Sequence, residues 1–220
     1  MENLEILSEC ALFDGLTVQE IAEILPCLSA RRASFRKGQF LLRAGDASFT
    51  SGIVLSGEVE LLQEDFWGNR NLLAAVAAGE LFGEVFACAG VPAPVSALCR
   101  TGGEVLYLDI AAVFSPCEQV CAQHKRLMQN LIHVLAQKNL LLNEKTWYLS
   151  QRTTREKLLC YLSAQARRAG SASFRIPFDR QQLADFLSVN RSAMTVELQK
   201  MQREGLLRTE RAEFTLYQNE

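Results

Sequence analysis

Near the end of the chain, short or forked hydrogen-bonding side chains follow a predicted turn. Asn190, Arg191, Ser192 and Thr195 stand at the start of a predicted helix. In a major groove, arginine can bond guanine through two donors, and serine or threonine can meet either a base or a phosphate. These residue types in this position are suited to reading the base edges of double-stranded DNA.

The elements around these residues predict a winged helix-turn-helix. Residues 180–187 and 191–204 have apolar residues at helical spacing, and Ala184 is small enough to let the two helices approach. A predicted strand over residues 173–177 precedes them, and a predicted hairpin over residues 206–217 follows. The alternative is that this unit binds protein or RNA, which a negative surface near the second helix would favour.

Charge and composition agree with a nucleic-acid partner at this end. Residues 150–220 carry 12 lysines and arginines against 8 acidic residues, whereas residues 1–149 carry 11 against 17. The acidic N-terminus, the lack of a long apolar run and the seven irregularly spaced cysteines predict a cytoplasmic location and no membrane partner. Neither histidine lies in a nucleophile motif, so no catalytic residue is assigned and an enzyme is not expected.

The whole chain predicts an α+β fold of three parts. Residues 1–116 contain short β-rich segments separated by glycine turns, which indicates an antiparallel β-roll, or jelly roll. Residues 117–149 have helical periodicity without proline or glycine, enough for a helix of about 45 Å. Residues 150–220 form the predicted winged helix-turn-helix.

Two apolar stripes run along the predicted central helix. They are Leu127, Leu131, Val134, Leu141 and Tyr148, and Met128, Ile132, Leu135, Leu142 and Leu149. One stripe can pack on the β-roll while the other packs on the same helix of a second copy. The alternative is one wide core-facing stripe in a monomer. A homodimer is the favoured prediction.

Several motifs match a known protein family in their order and spacing. They are Lys37-Gly38, Gly45-Asp46, Gly52, Leu55-Ser56-Gly57, the stretch from Gly79 to Glu84, the long helix and the winged end. Over nearly its whole length the chain resembles the catabolite-activator and fumarate–nitrate regulator (CRP/FNR) family of bacterial transcription regulators. The resemblance implies a homodimer with an effector-sensing β-roll of the cyclic-nucleotide-binding type, two modules that read a palindromic operator, and contact with RNA polymerase.

The DNA-reading positions match that family only in part. Arg191 matches its guanine-reading arginine, but Ser192 stands where glutamate is usual and Val196 where a second arginine is common. The resemblance therefore implies a different half-site, with Val196 at a thymine methyl or in no contact. The remaining predicted DNA contacts are Arg180, Gln181 and Lys200.

The family's cyclic-nucleotide site is only half present. In members that bind cyclic AMP, a Gly-Glu pair holds the ribose, and an Arg-Ser pair about ten residues later neutralises the phosphate. Here Gly83-Glu84 is present, but Val95 precedes Ser96 in the arginine's place and Arg100 lies beyond it. Because a phosphate buried without its cation is strongly disfavoured, cyclic AMP is not the predicted effector.

An apolar or aromatic small molecule is predicted instead. Leu140 and Leu141 stand on the central helix where family members present hydroxyls to the adenine. The predicted effector site consists of Gly83, Glu84, Val85, Val95, Ser96, Leu140 and Leu141. The alternative is a cavity filled by side chains. No cofactor beyond this unknown effector is required.

A second sensing hypothesis rests on Cys117, Cys121 and His124. Their spacing places them on one face of a helix, within reach of one metal ion or of each other. They would supply metal, haem or redox sensing with the same DNA output; the alternative is that they are structural. Iron–sulfur members of the family use a close N-terminal cysteine cluster, whereas this chain has Cys10 and next Cys27, so that site does not carry over.

Overall fold

The computed structural model describes residues 2–46, 50–67, 70–115 and 122–217. The chain packs as two compact units, residues 1–137 and 138–220, and the division falls inside the central helix. The boundaries at residues 116 and 149 remain a prediction. Within the described ranges, no helix has both the length and the apolar content needed to cross a bilayer.

Short helices frame the first unit. They are α1 (Glu2–Ser8), α2 (Val18–Ile24) and α3 (Glu84–Ala89), with 3-10 turns at Ala11–Phe13, Leu25–Leu28 and Ile110–Phe114, and the start of α4 (Ala122–Ser150). α2 begins after Thr17 and not at the nearby Asp14, which could also cap a helix. Gly15 adopts φ +75°, which interrupts a helix there, whereas Thr17 and Glu20 form a capping box.

Two antiparallel four-stranded sheets make the predicted β-roll. The strands are β1 (Arg31–Phe35), β2 (Phe40–Leu42), β3 (Thr50–Ser56), β4 (Val59–Glu64), β5 (Arg70–Val76), β6 (Leu81–Phe82), β7 (Ser96–Cys99) and β8 (Gly103–Asp109). Their orders are β1-β8-β3-β6 and β2-β7-β4-β5. Gly57 turns β3 into β4 at φ +83°, where an added Cβ would lie 2.7 Å from the Gly102 carbonyl oxygen. A residue without a side chain is therefore required there.

The core of the first unit joins the β-roll to the start of α4. Leu127 and Leu131 of α4 are fully buried and Val134 is nearly so, in one cluster with Ile53 and Leu108 of the sheet. The first apolar stripe therefore packs on the β-roll over this part of the helix. Asn130 adds polar contacts, because its amide donates to the carbonyls of Leu12 and Asp14 at 2.9 and 2.8 Å.

The second unit has the predicted order of a winged helix-turn-helix. Its elements are the end of α4, α5 (Thr154–Ala169), β9 (Ser173–Arg175), α6 (Arg180–Phe186), α7 (Arg191–Arg203), β10 (Leu207–Glu210) and β11 (Glu213–Leu216). The strands pair antiparallel in the order β10-β11-β9. Capping boxes begin α5 at Thr153 and α6 at Asp179, and Gly170 ends α5 at φ +62°.

The end of α4 packs into the second unit through a cluster of aromatic side chains. Tyr148 is 2% exposed, and its ring packs edge-on against Tyr161 with centroids 5.6 Å apart. Phe186 of α6 lies 6.3 Å from Tyr148 and 5.5 Å from Tyr161. Burial raises the pKa of Tyr161 to about 12. The last turns of the central helix are thus part of the core beneath the helix-turn-helix.

Candidate nucleic-acid interface and effector region

Asn190 precedes α7 as its N-cap residue. Its side-chain oxygen accepts hydrogen bonds from the backbone N–H groups of Ser192 and Ala193, at 2.9 and 3.2 Å. These bonds satisfy two of the donors that a helix start leaves unpaired. Only the side-chain amide nitrogen of Asn190 is left to contact a ligand.

The next predicted readers share the exposed face of α7. Arg191, Ser192, Thr195 and Val196 are exposed, whereas Met194 and Leu198 on the opposite face are buried. The Thr195 hydroxyl donates to the Arg191 carbonyl at 2.9 Å, so its oxygen can still accept a bond. The face therefore presents one guanidinium, two hydroxyls and one apolar side chain.

The turn between α6 and α7 holds the two helices at a close approach. Ser188 adopts the left-handed region at φ 49°, and the Val189 N–H donates to the Ala184 carbonyl at 2.9 Å. Ala184 is fully buried, as the sequence predicts for the contact between the helices. The conformation of Ser188 and this hydrogen bond fix the direction in which α7 leaves the turn.

A concave surface of about 770 Å³ adjoins the start of α7, and four arginines line it. Its lining residues are Arg175, Ile176, Pro177, Phe178, Asp179, Arg180, Gln181, Gln182, Arg191, Arg211 and Ala212. Arg180, Gln181 and Arg191 are among the contacts predicted from the sequence, whereas Arg175 and Arg211 are not. Their positions at the end of β9 and in the β10–β11 turn were readable from the sequence, but their convergence was not. The concavity is suited to an anion.

Arg180 is the most constrained of these arginines. Its Nη2 donates to the Thr209 hydroxyl at 2.7 Å, and its guanidinium lies 5.0 Å from the centre of the Phe214 ring. Burial lowers the pKa of Arg180. Its Nη1 is buried, with no hydrogen-bond partner among the described residues. Arg180 therefore ties α6 to the hairpin.

Gln181 and Lys200, the other predicted contacts, are exposed, and each makes one polar contact within its own helix. Gln181 Nε2 donates to Asp185 Oδ1 at 2.8 Å within α6. Lys200 Nζ lies 3.9 Å from Glu197 Oε2 within α7. Surface pairs of this kind exchange readily with solvent or a ligand.

The residues of the predicted effector site lie on separate elements. Gly83 caps α3 at φ +80°, and Glu84, the first residue of α3, is 1% exposed. Val85, the next residue of α3, is 44% exposed and so is not buried with Glu84. A carboxylate is almost never buried to this extent unless it is held by specific partners.

Val95, in the position of the family's arginine, is packed inside the first unit. It is 6% exposed and Ala93 is 2% exposed. Ser96, half-buried, accepts a hydrogen bond from the Ala44 N–H at 3.0 Å, and the Gly45 N–H donates to the Ala93 carbonyl at 2.8 Å. The backbone of Ala44 and Gly45 is thus hydrogen-bonded to the segment that contains Val95.

The remaining candidates are Leu140 and Leu141 in the second unit, His124 in the first unit, and two cysteines outside the described residues. Leu140 and Leu141 belong to the second unit and are each 58% exposed. His124 is buried at the start of α4, whereas Cys117 and Cys121 lie outside the described residues. Among the residues that are described, no group of three histidine, cysteine or acidic side chains is placed to hold a metal ion.

Two family models match this chain in the order of its two units. A cyclic nucleotide-binding domain matches residues 32–119, and a Crp-like helix-turn-helix domain matches residues 156–218. The chain belongs to the CRP/FNR family of transcription regulators. Membership in this family confirms the predicted α+β architecture and identifies a regulator rather than an enzyme.

Solved structures share this fold at low sequence identity. The catabolite activator protein of Thermus thermophilus is 22% identical with a TM-score of 0.51, and the match covers 94% of this chain and 93% of that one. The c-di-GMP-responsive regulator CLP of Xanthomonas campestris is 19% identical with a TM-score of 0.56, over 92% of this chain and 100% of that one. A CooA mutant of Carboxydothermus hydrogenoformans is 17% identical with a TM-score of 0.57, over 92% and 87%.

A curated relative matches part of the chain. It is the potassium channel KAT1 of Oryza sativa subsp. japonica, 28% identical over 132 residues. The match covers 59% of this chain but only 18% of the channel. The two proteins therefore share a segment and not an overall organisation.

Proposed function

We propose that this CRP/FNR regulator is a homodimer that binds a palindromic operator in double-stranded DNA through α7. The observation that carries the proposal is the exposed start of α7 beside the arginine-lined concavity. Arg191 reads guanine, Ser192 and Thr195 meet bases or phosphates, and Val196 contacts a thymine methyl. A mostly negative surface here would favour the protein- or RNA-binding alternative, whereas four arginines and one aspartate line the concavity.

Phosphate contacts position the module in this proposal. Arg175, Arg180 and Arg211 line the concavity next to Arg191, and phosphate contacts from such side chains fix register without reading sequence. Gln181 and Lys200 extend the contact along α6 and α7. The amide nitrogen of Asn190 donates beside them.

Retention of genomic DNA fragments tests the proposal. The full-length protein is titrated at moderate salt against fragments of its host genome with excess bulk competitor DNA, with and without cell extract. We expect a small set of fragments with a shared inverted repeat to be retained, and the affinity for them to fall steeply as salt rises. No retained fragment under either condition would contradict the proposal.

The proposed input is an apolar or aromatic small molecule bound by the first unit and the central helix. Support comes from Val95, packed where the family's phosphate-binding arginine would stand, and from Leu140 and Leu141 in place of hydroxyls. Millimolar cyclic AMP is expected to change neither the unfolding temperature nor operator affinity. A clear rise in unfolding temperature with cyclic AMP would overturn this assignment, because a ligand that binds the native state stabilises it.

The competing input is metal, haem or thiol sensing at Cys117, Cys121 and His124. The thiols whose pKa is shifted lie elsewhere in the chain: burial raises the pKa of Cys99 and Cys160, and burial with Glu84 raises that of Cys88. Since the thiolate is the reactive form, a raised pKa leaves less of it at neutral pH. We expect these three cysteines to alkylate slowly at pH 7 and faster as pH rises.

Thiol counting and metal analysis on anaerobically purified protein separate the two inputs. Seven reactive thiols after unfolding and no bound metal would remove the competing input. A bound metal lost in Cys117→Ser would establish it instead. The DNA output is the same in both cases, so fragment retention is scored separately.

RNA polymerase in the cytoplasm is the proposed protein partner. A surface on the first unit fits an acidic protein: β1 and the following turn expose Arg31, Arg32, Arg36 and Lys37. Charge complementarity of this kind steers association and fixes register. Co-retention of purified polymerase on an operator fragment, and its loss in Arg31→Glu with Arg32→Glu, tests the assignment.

A further inference from the structure

The first turn of α5 carries an arginine that joins it to α7. Arg155 Nη1 lies 3.3 Å from Glu197 Oε1 and 3.1 Å from Glu204 Oε1, and its Nη2 donates to Glu204 Oε2. Glu197 is in the middle of α7, and Glu204 is its C-cap. One planar guanidinium thus contacts two carboxylates nearly two helical turns apart, which fixes the direction of the helix more than a single contact would.

A lysine two residues later contacts the other half of the helix-turn-helix. Lys157 Nζ donates to the Leu187 carbonyl at 3.1 Å and to the Ser188 carbonyl at 3.4 Å. Leu187 is the C-cap of α6, and Ser188 is the left-handed residue of the turn. A cation at the carbonyl end of a helix is favourable because it meets the negative end of the helix dipole.

The charges of the α7 carboxylates matter because this helix is proposed to approach DNA phosphates. The hydrogen bonds from Arg155 lower the pKa of Glu204, and that carboxylate raises the pKa of Arg155. The pair therefore stabilises the fold above the ordinary pKa of a glutamate, and this contribution is lost as pH falls through the lowered value. Without Arg155, Lys200 alone would remain near the two carboxylates, at 3.9 Å from Glu197 Oε2, and Glu204 would lose its hydrogen-bonded partner.

The same turn of α5 follows directly on the end of the central helix. Residues 151–153 alone separate α4 from α5. The end of α4 is held to α5 by the Tyr148–Tyr161 ring contact and by an ion pair between Glu144 and Arg168. The end of α4 also contacts α6 directly, since the Phe186 ring lies 6.3 Å from the Tyr148 ring and 5.6 Å from Lys145 Nζ. A rotation of the last turns of α4 therefore acts on α6 through Phe186 and on α7 through α5, whose first turn carries Arg155.

We propose that Arg155 and Lys157 are positioning residues, which set the angle of α7 and pass movement of the central helix to it. They contact no base in this assignment. The proposal rests on the proposed function, because an angle of α7 matters only if that helix reads DNA. Since exposed ion pairs add little stability, the loss is expected in recognition rather than in folding.

The test compares Arg155→Ala with wild type on a retained operator fragment and on bulk DNA. We expect about tenfold weaker operator binding, bulk binding within about twofold, and an unchanged slope of log affinity against log salt, because no phosphate contact is lost. Arg167→Ala is the matched control. It removes the same charge from α5, and Arg167 makes no ion pair to α7 among the residues described.

Two further measurements keep the outcome decisive. Amide hydrogen exchange over residues 188–204 is expected to be faster in Arg155→Ala than in Arg167→Ala, a difference seen without DNA. Arg155→Glu combined with Glu204→Arg is expected to recover part of the operator affinity. If Arg155→Ala unfolds, Arg155→Lys decides: it keeps the charge but loses the planar fork, and we expect about threefold weaker operator binding.

Several outcomes overturn the proposal. Unchanged operator affinity in Arg155→Ala does so, as does an equal loss on operator and bulk DNA, or wild-type affinity in Arg155→Lys when the alanine variant is unfolded. If the wild type retains no fragment, the proposed function fails. Amide hydrogen exchange over residues 188–204 then still tests whether Arg155 positions α7. Equal exchange rates in Arg155→Ala and Arg167→Ala would refute that role as well.

Discussion

Replacing Arg191 with alanine is expected to weaken operator binding by about 30-fold or more and bulk DNA binding by no more than about threefold. Arg191 is exposed in the first turn of α7 and borders the arginine-lined concavity. A bidentate arginine–guanine contact contributes roughly 1–3 kcal/mol of discrimination, and a palindromic site contains two such contacts. Fluorescence anisotropy with operator and scrambled duplexes at fixed salt measures both affinities.

Arg203→Ala serves as the control for Arg191→Ala. Arg203 is exposed at the opposite end of α7, so its removal costs the same charge on the same helix. We expect it to change the two affinities alike, through the electrostatic contribution alone. In the wild type and in Arg203→Ala, replacing the guanine that Arg191 contacts should weaken operator binding. In Arg191→Ala the same base replacement should leave the affinity unchanged. Equal behaviour of the two variants would show that Arg191 is a phosphate contact and not a reader.

Combining Leu141→Glu with Leu142→Glu is expected to dissociate the dimer, with its dissociation constant rising by about 100-fold or more. Both leucines are exposed in the single chain, by 58% and 65%. Exposed leucines in adjacent helical positions are typical of a helix–helix interface. Burying a pair of carboxylates against their symmetry mates costs far more than the two leucines contribute. Sedimentation velocity over a concentration series gives the dissociation constant.

The operator provides a second readout of the same change. Affinity for the full palindrome is expected to fall towards that for a single half-site, because the two modules no longer bind as one unit. Gln129→Glu, at an exposed polar position of the same helix, is expected to alter neither quantity. A Leu141/Leu142 variant that stays dimeric would place the interface elsewhere.

The second unit was predicted closely from sequence because its signals are local. Thr153, Asp179 and Gly170 mark helix ends through bonds to backbone groups within four residues. The order of strand, helices and hairpin follows from periodicity over short windows. The N-terminal region was predicted less well: α1, β1 and the 3-10 turns were missed. These elements depend on contacts distant in sequence, as when Leu7 of α1 is buried in the core and β1 pairs with β8, and no local pattern displays such contacts.

The candidate site shows the same division. Arg191, Ser192, Thr195 and Val196 were identified from the sequence because the helix start and helical spacing determine which residues share a face. Arg175 and Arg211 were missed because they approach Arg191 only when β9 and the β10–β11 turn pack beside α6. The loss of the phosphate arginine was also visible in the sequence, but the burial of Val95 was not.

By itself, the sequence determined the helices and strands of the second unit and the face that α7 exposes. These depend on backbone bonding and side-chain periodicity, which act over a few residues. The tertiary structure alone decided which charges meet. Arg155 lies 42 positions from Glu197 and 49 from Glu204 in the chain. Contacts at such separation exist only after the cores have formed, because packing overcomes the entropy of closing the intervening loops.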